Sequence, residues 1–211
     1  MASREEAWLA IQHGASAVGL VSEMPSGPGV IHEETIVSIA AMIPPGVASF
    51  LLTSKQDAKS IIAQQRRCKT NTIQIVDSVT PGVYAELREA LPGIRLVQVI
   101  HVRGEESIDE AKSVERFVDA VLLDSGNPTL PVKELGGTGR VHNWDISRRI
   151  REALSIPVFL AGGLNAGNVA QAINDVRPFG VDVCSGVRTN GRLDEEKLST
   201  FLEAVQSTMR N

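Results

Sequence analysis

Apolar residues along this chain fall into two alternating arrangements. Seven short continuous runs, AVGLV (17–21), ASFLLT (48–53), TIQIV (72–76), RLVQVIHV (95–102), AVLLD (120–124), PVFLAGG (157–163) and GVDVCSG (180–186), have the density and length of strands covered on both faces in a parallel sheet. Between and around them lie eight amphipathic stretches of helical length, near 3–13, 33–42, 55–66, 81–91, 105–115, 143–153, 167–176 and 194–208. Their ends carry helix-terminus chemistry. Ser3 and Glu6 are spaced as a capping box and Gly14 supplies a stop. Pro81 follows Thr80 at a first-turn position, Asn143 precedes WDISRRI, and Asp194, Glu195 and Glu196 crowd the positive end of the last helix.

Seven strands alternating with eight helices in 211 residues predict an α/β fold of the (β/α)8 barrel type rather than an open doubly wound sheet. No linker, internal repeat or low-complexity tract interrupts it, so residues 1–211 read as one barrel domain. A helix comes first, which leaves the barrel lacking its first strand. Such a gap exposes unpaired edges on two strands, and proteins cover or pair such edges. The expectation is therefore a gap filled from elsewhere in the chain, or self-association into a homo-oligomer across the open edge.

Composition narrows the partners. With 43% apolar and 22% charged residues the chain is of ordinary globular make-up. A formal charge of −4, a pI near 5.6 and the lack of a long basic run give no footprint for nucleic acid or an anionic membrane. No stretch approaches the roughly 20 apolar residues of a membrane span, and Glu5 and Glu6 stand where a secretory leader would be basic then apolar, so a cytoplasmic setting is expected. Cys68 and Cys184 have neither disulfide nor zinc spacing, and His13, His32, His101 and His142 show no metal spacing.

In a barrel, ligands meet the loops that follow the strands, and a phosphate commonly sits on the last two of them beside a helix N-terminus. LAGGLNAGN carries Gly162 and Gly163, and CSGVRTNGR carries Ser185, Gly186 and Gly191. Glycines let backbone N–H groups approach an anion closely, so the two loops read as a phosphate cradle formed by Gly162, Gly163, Ser185 and Gly186. Arg188 and Arg192 read as solvated loop residues. Asp124 ends its strand at the rim, where a carboxyl group is a candidate general acid or base. Asp77 and His101 also lie at strand ends, the first as a candidate second acid and the second as a packed or solvated group. The loop after Asp124 is long and contains Gly136, Gly137, Thr138 and Gly139, which marks it as a substrate loop able to cover the site.

DSG (124–126), GGTGRVHNW (136–144) and PVFLAGGLNAGNVAQAINDVRPFGVDVCSGV (157–187) together closely resemble phosphoribosylanthranilate isomerase. EEAWLAIQHGASAVGLV (5–21) is similar to that family's first helix and second strand. The resemblance implies a cofactor-free Amadori isomerisation of N-(5-phosphoribosyl)anthranilate in tryptophan biosynthesis. An acid protonates the furanose oxygen, the ring opens to a Schiff base, and a base removes the C2 proton. By match to the motif, Asp124 is the acid, and Gly162, Gly163, Ser185 and Gly186 fall on the phosphate loops. Three family features are not matched. The first-strand K-x-C-G with its cysteine base would lie ahead of the first helix, the S-x-R-Y-V loop stands as SGPGVIHEE (26–34) without arginine, and Q-L-H-G stands as QIVD (74–77). Phosphate recognition is thus better supported than anthranilate recognition. A barrel acting on another phosphorylated sugar and a non-catalytic phosphate-binding relative stay open as alternatives.

Overall fold

The computed structural model describes residues 1–25, 27–136 and 139–208. Its main sheet contains β1 (Ala17–Val21), β2 (Ala48–Thr53), β3 (Thr72–Ile75), β4 (Arg95–His101), β5 (Ala120–Asp124), β6 (Val158–Leu160) and β7 (Gly180–Val181). All neighbours are parallel, and spatial order follows chain order from β1 to β7. A doubly wound sheet reverses its strand order at a switch point, and no reversal occurs here. The sheet is therefore the wall of a TIM-type barrel lacking one strand, with β1 and β7 as its two edges.

Helices α1 (Arg4–Gln12), α2 (Glu33–Ala40), α3 (Ala58–Cys68), α4 (Pro81–Ala90), α5 (Glu106–Val114), α6 (Trp144–Ala153), α7 (Val169–Val176) and α8 (Glu195–Thr208) match the eight expected from the pattern. Local chemistry starts several of them. Ser3 Oγ accepts from the Glu6 amide (3.2 Å), Asp57 from Ser60 (2.8 Å) and Asn143 from Asp145 (2.9 Å). Pro81 occupies the first turn of α4, but Thr80 makes no side-chain cap there. Beyond the expected elements, β8 (Arg188–Thr189) and β9 (Arg192–Leu193) form a small antiparallel hairpin. Its turn is Asn190–Gly191, at φ 51° and 78°, the pair that favours this tight reversal.

Apolar side chains form an inner and an outer layer. Val76, Val97, Val99, Ala120, Leu122 and Ala161 fill the barrel interior with Phe50, Leu52 and Phe159. Ile73, Ile75, Ile100, Val121, Leu123 and Leu160 face outward against the helices. Alternate residues of each strand thus serve different layers, as a sheet covered on both faces requires. Burial is complete along β3 and β5, but in β1 and β2 it alternates, because the wall is open beside β1.

Across that seam the contacts are polar. The Met1 nitrogen lies 2.6 Å from the Gly19 carbonyl of β1. Glu6 goes well beyond a capping role. Its carboxylate accepts from the Ala2 amide (2.8 Å), from the Leu193 amide (3.0 Å) and from both terminal nitrogens of Arg188 (2.8 and 3.1 Å). Burial alone pushes the Glu6 carboxyl upward, but Arg188 and the two amides outweigh it and hold the group down at about 2. Arg188 is therefore fixed in the seam and is not the solvated loop residue that spacing suggests.

Candidate active site

Strand parity decides what faces the barrel mouth. Asp124 shares the inward face of β5 with Ala120 and Leu122, and in register beside it His101 shares that of β4 with Val97 and Val99. Asp182 stands two residues beyond Gly180, which pairs with inward-facing Phe159. These carboxylates and the two Gly-bearing loops line one small cleft, together with Gly139, Ala161, Leu164, Val183 and Cys184. Asp124, Gly162, Gly163 and Ser185 thus come together as the sequence reading expects. Gly186 sits directly behind Ser185 in a 3-10 turn, Ser185–Val187, and a Cβ there would run into the Leu164 carbonyl.

The two loops are shaped by an absence of side chains. Gly162 and Gly163 take φ of +83° and +65°, so two successive left-handed residues make the turn after β6. A Cβ on Gly163 would lie 2.6 Å from the Arg140 carbonyl carbon, and one on Gly162 would lie 2.9 Å from His142 Nδ1. The strand-five loop is therefore laid directly across the strand-six loop. Gly136 and Gly139 belong to that covering segment. Gly136, at φ +134°, brings its backbone so close to Asp124 that a Cβ would stand 2.7 Å from Oδ2, and Gly139 packs toward Ser185. Gly137 and Thr138, named with them, lie outside the described residues.

The covering loop is anchored at several points over the mouth. Asn127 and Glu134 pair through both backbone amides (2.8 and 3.0 Å), which closes a short hairpin. Leu135 is buried and joins the inner cluster beside Val76, Val97 and Ala161, so it plugs the top of the barrel. Lys133 Nζ reaches the Asp77 carboxylate at 2.5 Å. Asp77, whose other oxygen accepts from the Ser78 amide (2.9 Å), is consequently an ion-pair partner of the loop rather than a second acid. His101 donates Nε2–H to the Val76 carbonyl (2.9 Å) and is buried beneath Gly126, so it packs at the rim and is not solvated.

Electrostatics separates the titratable groups. Burial raises the Asp124 carboxyl above the usual range, against the opposing pull of the Ser125 amide on Oδ1 (2.7 Å) and of His101. Asp182 is pushed up to about 6, first because protein surrounds it and second because Asp124 faces it. Asp182 keeps solvent-exposed surface and is accessible to a ligand. Burial pushes the His142 imidazole down to about 4, which makes it neutral at ordinary pH. A carboxyl group whose pKa is raised by burial is better equipped to act as a general acid than an ordinary surface carboxylate. Among the described residues, no group of three or more His, Cys, Asp or Glu side chains is placed to hold a metal ion. Among them, no helix is long and apolar enough to cross a membrane.

A family model described as N-(5'-phosphoribosyl)anthranilate (PRA) isomerase matches residues 21–204. The chain belongs to the phosphoribosylanthranilate isomerase family. The N-(5'-phosphoribosyl)anthranilate isomerase of Methanocella arvoryzae is 33% identical over 205 residues, which span 97% of this chain and 94% of that protein. The phosphoribosylanthranilate isomerase structure from Thermotoga maritima superposes with a TM-score of 0.81 at 27% identity, covering 98% of this chain and 96% of its own. A further isomerase structure of the family, a complex with reduced 1-(o-carboxyphenylamino)-1-deoxyribulose 5-phosphate, gives 0.78 at 25% identity and covers 98% and 95%. With the family in hand, Asp182 stands out as the residue that sequence reasoning passed over. It reads as one more position of an apolar strand, and only the inward parity of Gly180, Asp182 and Cys184 signals that its carboxyl enters the cleft.

Proposed function

We propose that this chain isomerises N-(5'-phosphoribosyl)anthranilate to the corresponding 1-deoxyribulose 5-phosphate, an aldose–ketose conversion of tryptophan biosynthesis that runs without a cofactor. One observation carries the reading. In a chain of this family, an acid with a raised pKa and two Gly-shaped loops open into the same cleft. The phosphate rests on Gly162, Gly163, Ser185 and Gly186, where the backbone approach is closest. Asp124 protonates the furanose oxygen; the C1–O bond breaks toward that oxygen, and the aniline nitrogen supplies the electrons of the new C=N bond. Removal of the C2 proton then gives the enolamine, which becomes the ketone. By the resemblance the base belongs to a strand that would lie between β7 and β1, which is not among the strands of the sheet described. Gly136 and Gly139 act in this reading as the part of the covering loop that touches the acid and the cradle. A cytoplasmic setting and self-association through the free edges of β1 and β7 belong to the same proposal.

The anthranilate adduct is fluorescent and its open-chain product is less so, which gives the test. The purified chain is expected to abolish that fluorescence with saturation kinetics. A chain that binds inorganic phosphate yet leaves the adduct intact overturns the assignment.

A further inference from the structure

A furanose ring fixes the relative places of its own groups. Its oxygen joins C1 to C4, so the edge opposite that oxygen is the C2–C3 bond. In the proposed function Asp124 meets the ring oxygen, and the C2–C3 edge then looks away from Asp124. Across the same cleft stands Asp182, close enough for the two carboxyl groups to sense each other. The Asp182 amide donates to the Leu160 carbonyl (2.8 Å), which continues the pairing of β7 with β6 and seats the side chain on the barrel wall.

We infer that Asp182 recognises the sugar of the substrate by accepting a hydrogen bond from its 3-hydroxyl. The inference rests on the proposed function and names a residue between its acid and its phosphate loops. Of the two carbons on the far edge of the ring, C2 is the reacting one, and its hydrogen must stay open to a base. C3 adjoins C4, which bears the phosphate arm. Asp182 precedes Ser185 by three residues, so a sugar phosphate held on Ser185 and Gly186 brings C3 past its carboxylate. That carboxylate is able to accept. It takes a bond from the Val183 amide, and among the described residues no lysine, arginine or histidine forms an ion pair with it. The Met1 nitrogen, a charge that does bear on it, is bonded to the Gly19 carbonyl (2.6 Å). With a pKa of about 6, Asp182 is mostly ionised above neutral pH and then accepts through both oxygens. Its surface is exposed, so a hydroxyl can reach it. Cys184, the next inward position in the cleft, is a poorer partner, because a thiol accepts weakly and this one meets Arg188.

The experiment compares two substrates, the anthranilate adducts of ribose 5-phosphate and of 3-deoxyribose 5-phosphate. They differ only in the 3-hydroxyl, which takes no part in the bonds made or broken. Turnover of both is followed by loss of fluorescence for the wild type, Asp182→Ala and Asp182→Asn, each at its own pH optimum, because Asp182 also bears on the proton affinity of Asp124. The wild type is expected to prefer the ribose adduct in kcat/KM by about 10- to 100-fold, as for a hydrogen bond to a charged group. Asp182→Ala should lose that factor on the ribose adduct and leave the 3-deoxy adduct within about threefold, so that the preference collapses. Asp182→Asn, whose amide oxygen still accepts, should retain most of it. Equal losses on both adducts in Asp182→Ala mean that Asp182 only shapes the cleft, and overturn the inference while sparing the proposed function. A wild type indifferent to the 3-hydroxyl overturns it as well. A wild type that converts neither adduct overturns the proposed function and this inference together.

Discussion

Two parts of the barrel mouth are made of different materials. At β6 and β7 the surface is backbone, bent by Gly162 and Gly163 and overlaid by the Arg140–Val141 segment with no room for a methyl group. Beyond β3 the covering loop is held by side chains, through an ion pair between Lys133 and Asp77 that joins residues far apart in the chain. The difference is one of tolerance. A backbone cradle is lost when an atom is added, whereas a side-chain contact is lost when one is removed. Asp124 stands between the two ends and belongs to neither, which makes it the reference for testing both.

The largest effect is expected there. Asp124→Asn keeps the shape of the side chain and removes the proton that it donates, so kcat/KM should fall by about 10²- to 10⁴-fold. Inorganic phosphate affinity, measured by titration calorimetry, should stay within about twofold, because the cradle is built without the Asp124 side chain. Loss of phosphate binding in this variant would show that the acid and the cradle are one unit and would remove the contrast.

These two kinds of construction also explain what could be read beforehand. The strand order, the eight helices and the barrel wall follow from local periodicity, which survives in a linear string. Asp124, Gly162 and Gly163 are legible for the same reason, since a strand end and a glycine pair are local signals. Lys133 and Asp77 carry no such signal. Asp77 reads as a strand-end acid, and only the fold brings a lysine 56 positions away to its carboxylate. Glu6 reads as a capping residue, yet its strongest partner is Arg188, at the opposite end of the chain. The Asn190–Gly191 hairpin, by contrast, is signalled by two adjacent letters but lies outside the alternation of strands and helices.

A second test presses on the backbone end. Gly163→Ala adds a Cβ at φ +65° that meets the Arg140 carbonyl carbon at 2.6 Å, and neighbouring backbone cannot swing aside as a side-chain tip does. Stability to urea should fall by about 1–3 kcal/mol from strain, and phosphate affinity by about tenfold or more as the overlaid loop is displaced.

A smaller effect is expected from the second carboxylate. Asp124 must be protonated to act, so turnover falls as pH rises through its pKa, which burial places above the ordinary carboxyl value. Asp182 ionises in the same cleft, from a pKa of about 6, and like charges resist ionising together. Asp182→Asn removes that repulsion, so Asp124 loses its proton more easily and the alkaline limb of the kcat profile moves to lower pH. A limb that stays in place would mean that the two carboxyl groups do not sense each other across the mouth.

The smallest effect separates two uses of glycine. Gly191 has φ +78°, within range of Gly162 and Gly163, but a Cβ built on it meets nothing within 4 Å. Its requirement is conformational alone. Gly191→Ala should therefore cost about 1 kcal/mol, the strain of a left-handed alanine, seen as a modest drop in the urea midpoint. Phosphate affinity and kcat/KM should remain within error of the wild type, although this residue lies on the same loop as Ser185 and Gly186. If Gly191→Ala weakened phosphate binding as much as Gly163→Ala does, left-handed backbone rather than close approach would be what the cradle requires, and the distinction between space and conformation would fail.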